Sequence, residues 1–354
     1  MKARLSIIAF AQIAVVAMLL SVAAASGLAW LAGASPLDAV TALAWGSVFT
    51  RHGLEATLMQ ATPLILTGLA ILLAFRSGVF NIGAEGQFLL GALAATVVGT
   101  QLPPFPGQAL VALAAGALAG GFWAQIAVFY RLTRGVGEVI TTIMLNFIAL
   151  YLISWAVSGP LQETSGAYPQ SDPLAEGARL WTFGDGGSLH AGIFVALIMT
   201  VLVGVFVKQT PLGLRLRAAG LNPVSARLAG FPVTRDIVLA FTLSGALAGL
   251  AGAVEVTGLT GRLFARIGSG YGYTAIAVAL LGGLQPLGVL AAALFFGALG
   301  AGAATMERTA DVSAVVAVAI QGAALLGLAI VAALHRGWLP GFAAAESSEA
   351  EDAG

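Results

Sequence analysis

The sequence predicts an all-α polytopic membrane protein, and three observations carry that prediction. Hydrophobic residues fill 59% of the 354 positions and charged residues 9%, against roughly 45–50% and about 25% in soluble domains. Sixteen basic and sixteen acidic side chains cannot cover a soluble surface around so large an apolar content. Glycine, at 46 residues, is well above the usual ~7%, as membrane helices tolerate. Finally, the apolar residues fall in runs approaching or exceeding the roughly 20 that one bilayer crossing needs.

Ten such runs occur, at about 6–31, 56–75, 79–100, 108–130, 139–158, 190–207, 237–257, 272–284, 287–306 and 313–334. The first follows Met1-Lys2-Ala3-Arg4 and superficially resembles a signal peptide, but it outruns the roughly 7–15 residues of a signal core and reads as a retained span. Residues 34–55, with Pro36, Asp38 and Trp45 and with Trp30 nearby, read as an interfacial helix on the outer side. The eighth run is short, bounded by Gly268, Gly270 and Gly272 before it and by Gly282, Gly283 and Pro286 after it. It is open to a full crossing, a half-helix or a re-entrant segment lining a cavity.

Orientation follows from basic residues in the short loops. Placing the N-terminus inside gives the inner side eleven of them (Lys2, Arg4, Arg76, Arg131, Arg134, Lys208, Arg215, Arg217, Arg227, Arg235 and Arg336) and the outer side five (Arg51, Arg179, Arg262, Arg266 and Arg308). Both termini are therefore expected in the cytoplasm. Residues 1–340 form one transmembrane domain, with a polar outer loop at 159–189 and a strongly basic inner loop at 208–236. Residues 341–354 are expected to be a disordered acidic tail.

Several classes are excluded. The net charge is zero, so nucleic acid is not an expected partner. There is no cysteine, hence no disulfide, thiolate metal site or thiol nucleophile. The two lysines, Lys2 and Lys208, follow no glycine-rich phosphate loop, so the chain does not energise itself with a P-loop. His52, His190 and His335 fall at or beyond the membrane faces, which removes an intramembrane Ser-His or zinc site. A transport pore, a secondary transporter and a receptor-like scaffold remain.

Two polar patterns lie within spans. In the third, Asn81 and Glu85 are four apart on one helix face, with Gln87 following and Gly78, Gly83, Gly86 and Gly91 allowing a broken helix start or close packing. In the fifth, Glu138, Thr142 and Asn146 form a stripe at i, i+4 and i+8 that lipid would not accept. Embedded carboxylates usually face a cavity or a partner, so Asn81, Glu85, Gln87, Glu138, Thr142 and Asn146 are candidate pathway residues. The alternatives are interhelical hydrogen bonding and ion pairing at the inner interface, of Glu85 with Arg76 and of Glu138 with Arg134. Glu255, near the outer end of the seventh span, reads as a salt bridge to Arg262 or Arg266.

The inner loop predicts two short helices. Residues 212–219 suit one that Gly220 ends. Asn222 is a good N-cap with Pro223 at the first helical position, and Gly230 ends the second. Arg215, Arg217 and Arg227, beside apolar Leu214, Leu221, Leu228 and Phe231, sit on helices too short to be stable alone in water. They need a cytoplasmic surface to dock on.

These residues carry a resemblance. GVFNIGAEGQFLLGALAA, GEVITTIMLNFIALYL, TPLGLRLRAAGLNPVSARLAG and GYGYTAIAVALLGGLQPLG, spread in that order over about residues 78–288, resemble the permease subunits of bacterial nucleoside and simple-sugar ABC importers, within the branched-chain amino acid/ribose permease group. The resemblance implies a ten-span, type II ABC importer-like fold similar to the vitamin B12 permease. It makes the inner loop the coupling element, with Arg215, Arg217, Gly220, Asn222, Pro223, Arg227 and Gly230 meeting a cytoplasmic ATPase. It also implies a second permease subunit in a heterodimer, this chain with its long loop from Ser158-Gly159-Pro160 being the larger of the two, and a lipoprotein or periplasmic binding protein outside. ATP would be bound by the partner, so the chain is expected to be neither an enzyme nor a cofactor protein. It would lie in the bacterial inner membrane and pass nucleosides, or a related sugar, by alternating access. The rival is a proton-coupled secondary transporter using Glu85 and Glu138.

Overall fold

Glycines scattered through the apolar runs mark the helix crossings of the structure, a computed structural model that describes residues 35–183, 189–268 and 270–309, with isolated helical positions on either side. The chain divides into two units, residues 55–297 and the terminal stretches 1–54 and 298–354 together. The expected spans at 6–31 and 313–334, the tail at 341–354 and both termini lie essentially outside the described residues.

In the terminal unit, α1 (Pro36–Ala44) begins where Ser35 accepts a hydrogen bond from the Asp38 N–H at 3.4 Å and Pro36 supplies a ready-made first turn. A π-helical turn, Trp45–Phe49, follows. Leu37, Trp45 and Phe49 are exposed.

The larger unit is built on α2 (Arg51–Arg76), α3 (Ala84–Gln101), α4 (Gln108–Arg134), α5 (Glu138–Val157), α6 (Gly192–Gln209), the short α7 (Pro211–Leu221) and α8 (Pro223–Leu228), α9 (Val233–Val254), α10 (Tyr271–Leu281) and α11 (Pro286–Thr309). Helices α2 and α11 run on into the terminal unit. Among the described residues six helices are long and apolar enough to cross a membrane: α2, α4, α5, α6, α11, and α9 with its π-helical continuation to Thr260. This multi-pass, all-helical architecture is the coarse form of the expected fold.

Helix α2 is the most buried of these six helices, and α5 and α6 are the most exposed. Helices α3, α4 and α9 pack against one another, and small residues make that possible. Gly116 and Gly120 of α4 face Gly245 and Gly249 of α9; a Cβ at Gly245 would come within 2.6 Å of the Ala124 Cβ, and one at Gly120 would strike the Gly245 carbonyl. Backbones this close gain dispersion and weak hydrogen bonds that lipid cannot replace.

Two spans depart from the expected ranges. Helix α3 starts at Ala84 instead of near 79, because residues 77–83 take an irregular path held by side-chain hydrogen bonds. Helix α10 has 11 residues, about 16 Å at 1.5 Å per residue, roughly half the ~30 Å of bilayer hydrocarbon. That length fits the half-helix and re-entrant alternatives and not a full crossing by regular helix. Residues 261–268 form irregular turns, and the turn through Gly283 (φ 60) and Leu284 (φ 53) leads out of α10 into α11.

Candidate functional site

The polar residues of the third and fifth spans converge on one buried hub. Asn81, fully buried, uses its whole amide. Its Oδ1 accepts from the Gly83 N–H and Gln87 Nε2, both at 3.0 Å, and its Nδ2 donates to Gln87 Oε1 and Ser244 Oγ, both at 2.8 Å. Ser244 in turn donates to the Ala70 carbonyl at 2.7 Å. One asparagine thus ties the irregular 77–83 segment to α2, α3 and α9, and its burial is tolerable because every polar atom is met.

Glu85 caps a helix. Its carboxylate accepts from the Gly272 N–H at 2.6 Å and the Gly270 N–H at 3.3 Å, donors at the N-terminus of α10, where the helix supplies no i−4 acceptor. The negative charge also meets the positive end of that helix dipole. No pair with Arg76 forms, so that alternative is corrected: the carboxylate finds two N–H groups inside the bundle instead. Gly272 permits the approach, since a Cβ there would collide with the Glu85 backbone.

The α5 stripe faces the same segment, rung by rung. Glu138 accepts from the Phe80 N–H at 3.3 Å and pairs with Arg131 at 2.6 Å, in place of the expected Arg134. Thr142 packs on Gly83, where a Cβ would come within 3.0 Å of its own. Asn146 accepts from the Gly86 N–H at 2.8 Å and donates to the Ile82 carbonyl at 2.9 Å and the Tyr273 hydroxyl at 3.2 Å. Asn81, Glu85, Gln87, Thr142 and Asn146 therefore form one network, with Glu138 at its end. Ser244, Tyr273, Gly270 and Gly272 complete it. The sequence offered no periodic signal for these four, since their partners lie 127–187 residues away.

The basic loop forms the two short helices predicted. Thr210 caps α7 by accepting from the Gly213 N–H at 3.0 Å, and Asn222 caps α8 by accepting from the Val224 and Ser225 N–H groups, each at 3.0 Å. Helix α7 does not stop at Gly220 but runs to Leu221. Gly220 serves as a contact point, because a Cβ there would strike the Arg76 carbonyl at the end of α2. Arg215 is drawn inward, its guanidinium bonded to Asp236, which is buried at the start of α9. Arg217, Asn222, Pro223, Arg227 and Gly230 remain exposed, beside exposed Leu214, Leu221, Val224 and Leu228. Ala219, Ala226 and Val233, with Phe231 packed on them, give the hairpin a small core. The result is a surface of apolar and cationic residues on a rigid mount.

At the opposite end, the 159–183 loop is pinned along residues 257–263. Leu180 N donates to the Thr257 carbonyl at 2.8 Å, and Leu174 N and Ser171 N donate to Gly261 and Leu263 carbonyls at 2.9 Å. Arg262 pairs with Glu163 at 3.1 Å, and among the described residues Glu255 pairs with neither Arg262 nor Arg266, so that expected pair is corrected; the loop carboxylate takes the Arg262 cation. Hydrogen bonds from Gln170 and Ser165, reinforced by the Tyr168 N–H and Arg262, hold Glu163 below the usual carboxylate range. Two bonds from Thr164 do the same for Asp172.

Residues 53–329 match the family described as branched-chain amino acid transport system, permease component. The chain belongs to this permease family. It is 38% identical to the glucose ABC transporter permease protein TsgB13 of Haloferax volcanii, over 87% of this chain and 84% of the relative. It is 39% identical to the guanosine ABC transporter permease protein NupP of Bacillus subtilis, over 82% and 85%. It is 32% identical to the nucleoside ABC transporter permease protein NupB of Lactococcus lactis, over 78% and 79%. No solved structure matches the permease at a significant level.

Proposed function

We propose that this permease is the transmembrane subunit of an ATP-driven importer carrying nucleosides, or a related simple sugar, across the bacterial inner membrane. The observation that carries the reading is the α7–α8 hairpin. A helix of 6 residues gains too little from its own hydrogen bonds to persist in water, yet the hairpin that contains it is braced through α7 by Arg215–Asp236 and Gly220 and displays Arg217, Arg227, Leu221, Val224 and Leu228. Such a surface suits a cytoplasmic ATPase that binds and hydrolyses ATP on the chain's behalf. The cargo class rests on the relatives named for guanosine, nucleosides and glucose. The long, pinned loop at the opposite end suits a binding protein, and its length suits the larger member of a permease heterodimer. Alternating access would then work the hub: Asn81, Glu85, Gln87, Glu138, Thr142 and Asn146, with their partners, join six helices, and relative movement of α5 and α10 must break or shift those bonds.

Proton coupling has less support, because Glu85 is occupied by two N–H groups and Glu138 by Arg131 and Phe80. The test is uptake of labelled guanosine and labelled glucose by cells with and without the permease. Uptake that follows cellular ATP and survives a protonophore is expected. Uptake abolished by the protonophore at constant ATP would overturn the reading.

A further inference from the structure

Most carboxylates in the larger unit have partners: Glu85 has two N–H groups, Glu138 and Asp236 have arginines, and Glu163 and Asp172 have loop donors. Glu255 differs. It is 4% exposed, lies within the hydrophobic span Val233–Thr260, and makes no hydrogen bond or ion pair with any described residue. An embedded carboxylate without a partner is costly and marks a functional position by default.

Its setting is also irregular. Glu255 is the first residue of the π-helical turn Glu255–Thr260, a deviation often found at functional sites. The turn is buttressed by His190, against which a Cβ at Gly258 would collide at 2.5 Å, and by the Leu180–Thr257 bond. Tyr271 lies within electrostatic reach of both Glu255 and Glu85. Its ring packs on Phe88 with centroids 5.7 Å apart, and its hydroxyl has no hydrogen-bond partner among the described residues. Tyr271 also opens the half-helix α10, and broken helices of this kind frame the binding sites of many transporters.

We propose that Glu255 is the cargo-contacting group of this permease, and that it recognises the adjacent hydroxyls of a sugar ring. The inference rests on the importer reading above and narrows it. Guanosine and glucose differ in everything except a ring bearing neighbouring hydroxyls. A carboxylate is acceptor-only, with two oxygens spaced to take two O–H donors. A passing diol would give Glu255 the partners it lacks, so the site would discriminate by the presence of the diol and not by the base.

The test uses the assembled importer in cells. Uptake of labelled guanosine and 2′-deoxyguanosine is measured for the parent protein, Glu255→Gln and Glu255→Asp at equal membrane abundance. Each variant is expressed relative to the parent for the same cargo, which cancels selection by the binding protein. We expect Glu255→Gln to lower guanosine uptake about tenfold and 2′-deoxyguanosine uptake less than twofold, with Glu255→Asp recovering at least half of the guanosine rate. Equal losses for both cargoes, or no loss for either, would overturn the proposal. If the parent carries no 2′-deoxyguanosine, failure of Glu255→Asp to exceed Glu255→Gln overturns it. Should the parent carry glucose and not guanosine, the nucleoside reading falls, and Glu255 is judged by the same ratios for glucose and 2,3-dideoxyglucose, which keeps no adjacent pair of hydroxyls. Uptake of none of these by the parent overturns both.

Discussion

Asp236 is a carboxylate the fold can least afford to leave alone. It is 1% exposed, and its partner Arg215 arrives from a different helix. Removing one member of a buried ion pair costs about 3–5 kcal/mol, whereas removing both is often nearly neutral. Arg215 is partly exposed, so we expect Arg215→Ala to cost about 3 kcal/mol, the low end of that range. The double variant Arg215→Ala/Asp236→Leu should recover most of it, read from thermal unfolding in detergent. Glu85→Ala should uncap α10 at a cost of about 1–2 kcal/mol. At the opposite end, Glu163 and Asp172 both titrate below the ordinary range. Their contribution to loop order is complete above the unfolded values near 4 and is lost as the pH falls through the depressed folded ones. Amide exchange at Ser171 and Leu174, corrected for intrinsic rate, should therefore be constant from pH 7 to 5 and rise below about pH 4. A rise that begins near neutrality would assign the loop's order to other groups.

Elements differ in how much of them can be read from the chain. The caps of α7 and α8 are local, set by Thr210-Pro211 and Asn222-Pro223, and they form where their spacing places them. The α5 stripe is also legible, because a 3.6-residue period puts Glu138, Thr142 and Asn146 on one face whatever lies opposite. What lies opposite is not legible: Glu85 meets Gly270 and Gly272 across 185 and 187 residues, and nothing local marks a carboxylate as a helix cap in another part of the chain. Gly220 shows the converse. Its position near a helix end suggested a terminator, yet the chain needs it for the close approach of α7 to α2. The α4–α9 crossing is open to test on the same logic. Gly120→Val should abolish folded insertion or sharply lower stability, because the added carbons would meet backbone that cannot move aside. Gly135→Ala, whose Cβ would meet nothing, should cost much less, limited to the strain of its φ of 66°. Equal effects of the two would remove the packing argument.

For the molecule as a whole, the two ends of the bundle differ in chemistry: a cationic hairpin with exposed leucines at one, a pinned acidic loop at the other. The natural absence of cysteine makes their sidedness testable with single introduced thiols. Ala167→Cys, on the exposed part of the loop, should react with an impermeant reagent in intact cells, and Ser225→Cys only after the membrane is opened. Ser171 is unsuitable despite lying in the same loop, because it is 1% exposed and bonded to Leu263. The claim that the hairpin couples this permease to an ATPase is tested most directly by reversing its exposed charge. Arg227→Glu alters an exposed side chain that bonds to none of the described residues, so insertion and folding should be unchanged. Co-purification of the ATPase in mild detergent, and cargo-stimulated ATP hydrolysis in reconstituted vesicles, should both fall at least severalfold. Co-purification and stimulated hydrolysis equal to those of the unaltered protein would contradict the coupling role of the hairpin.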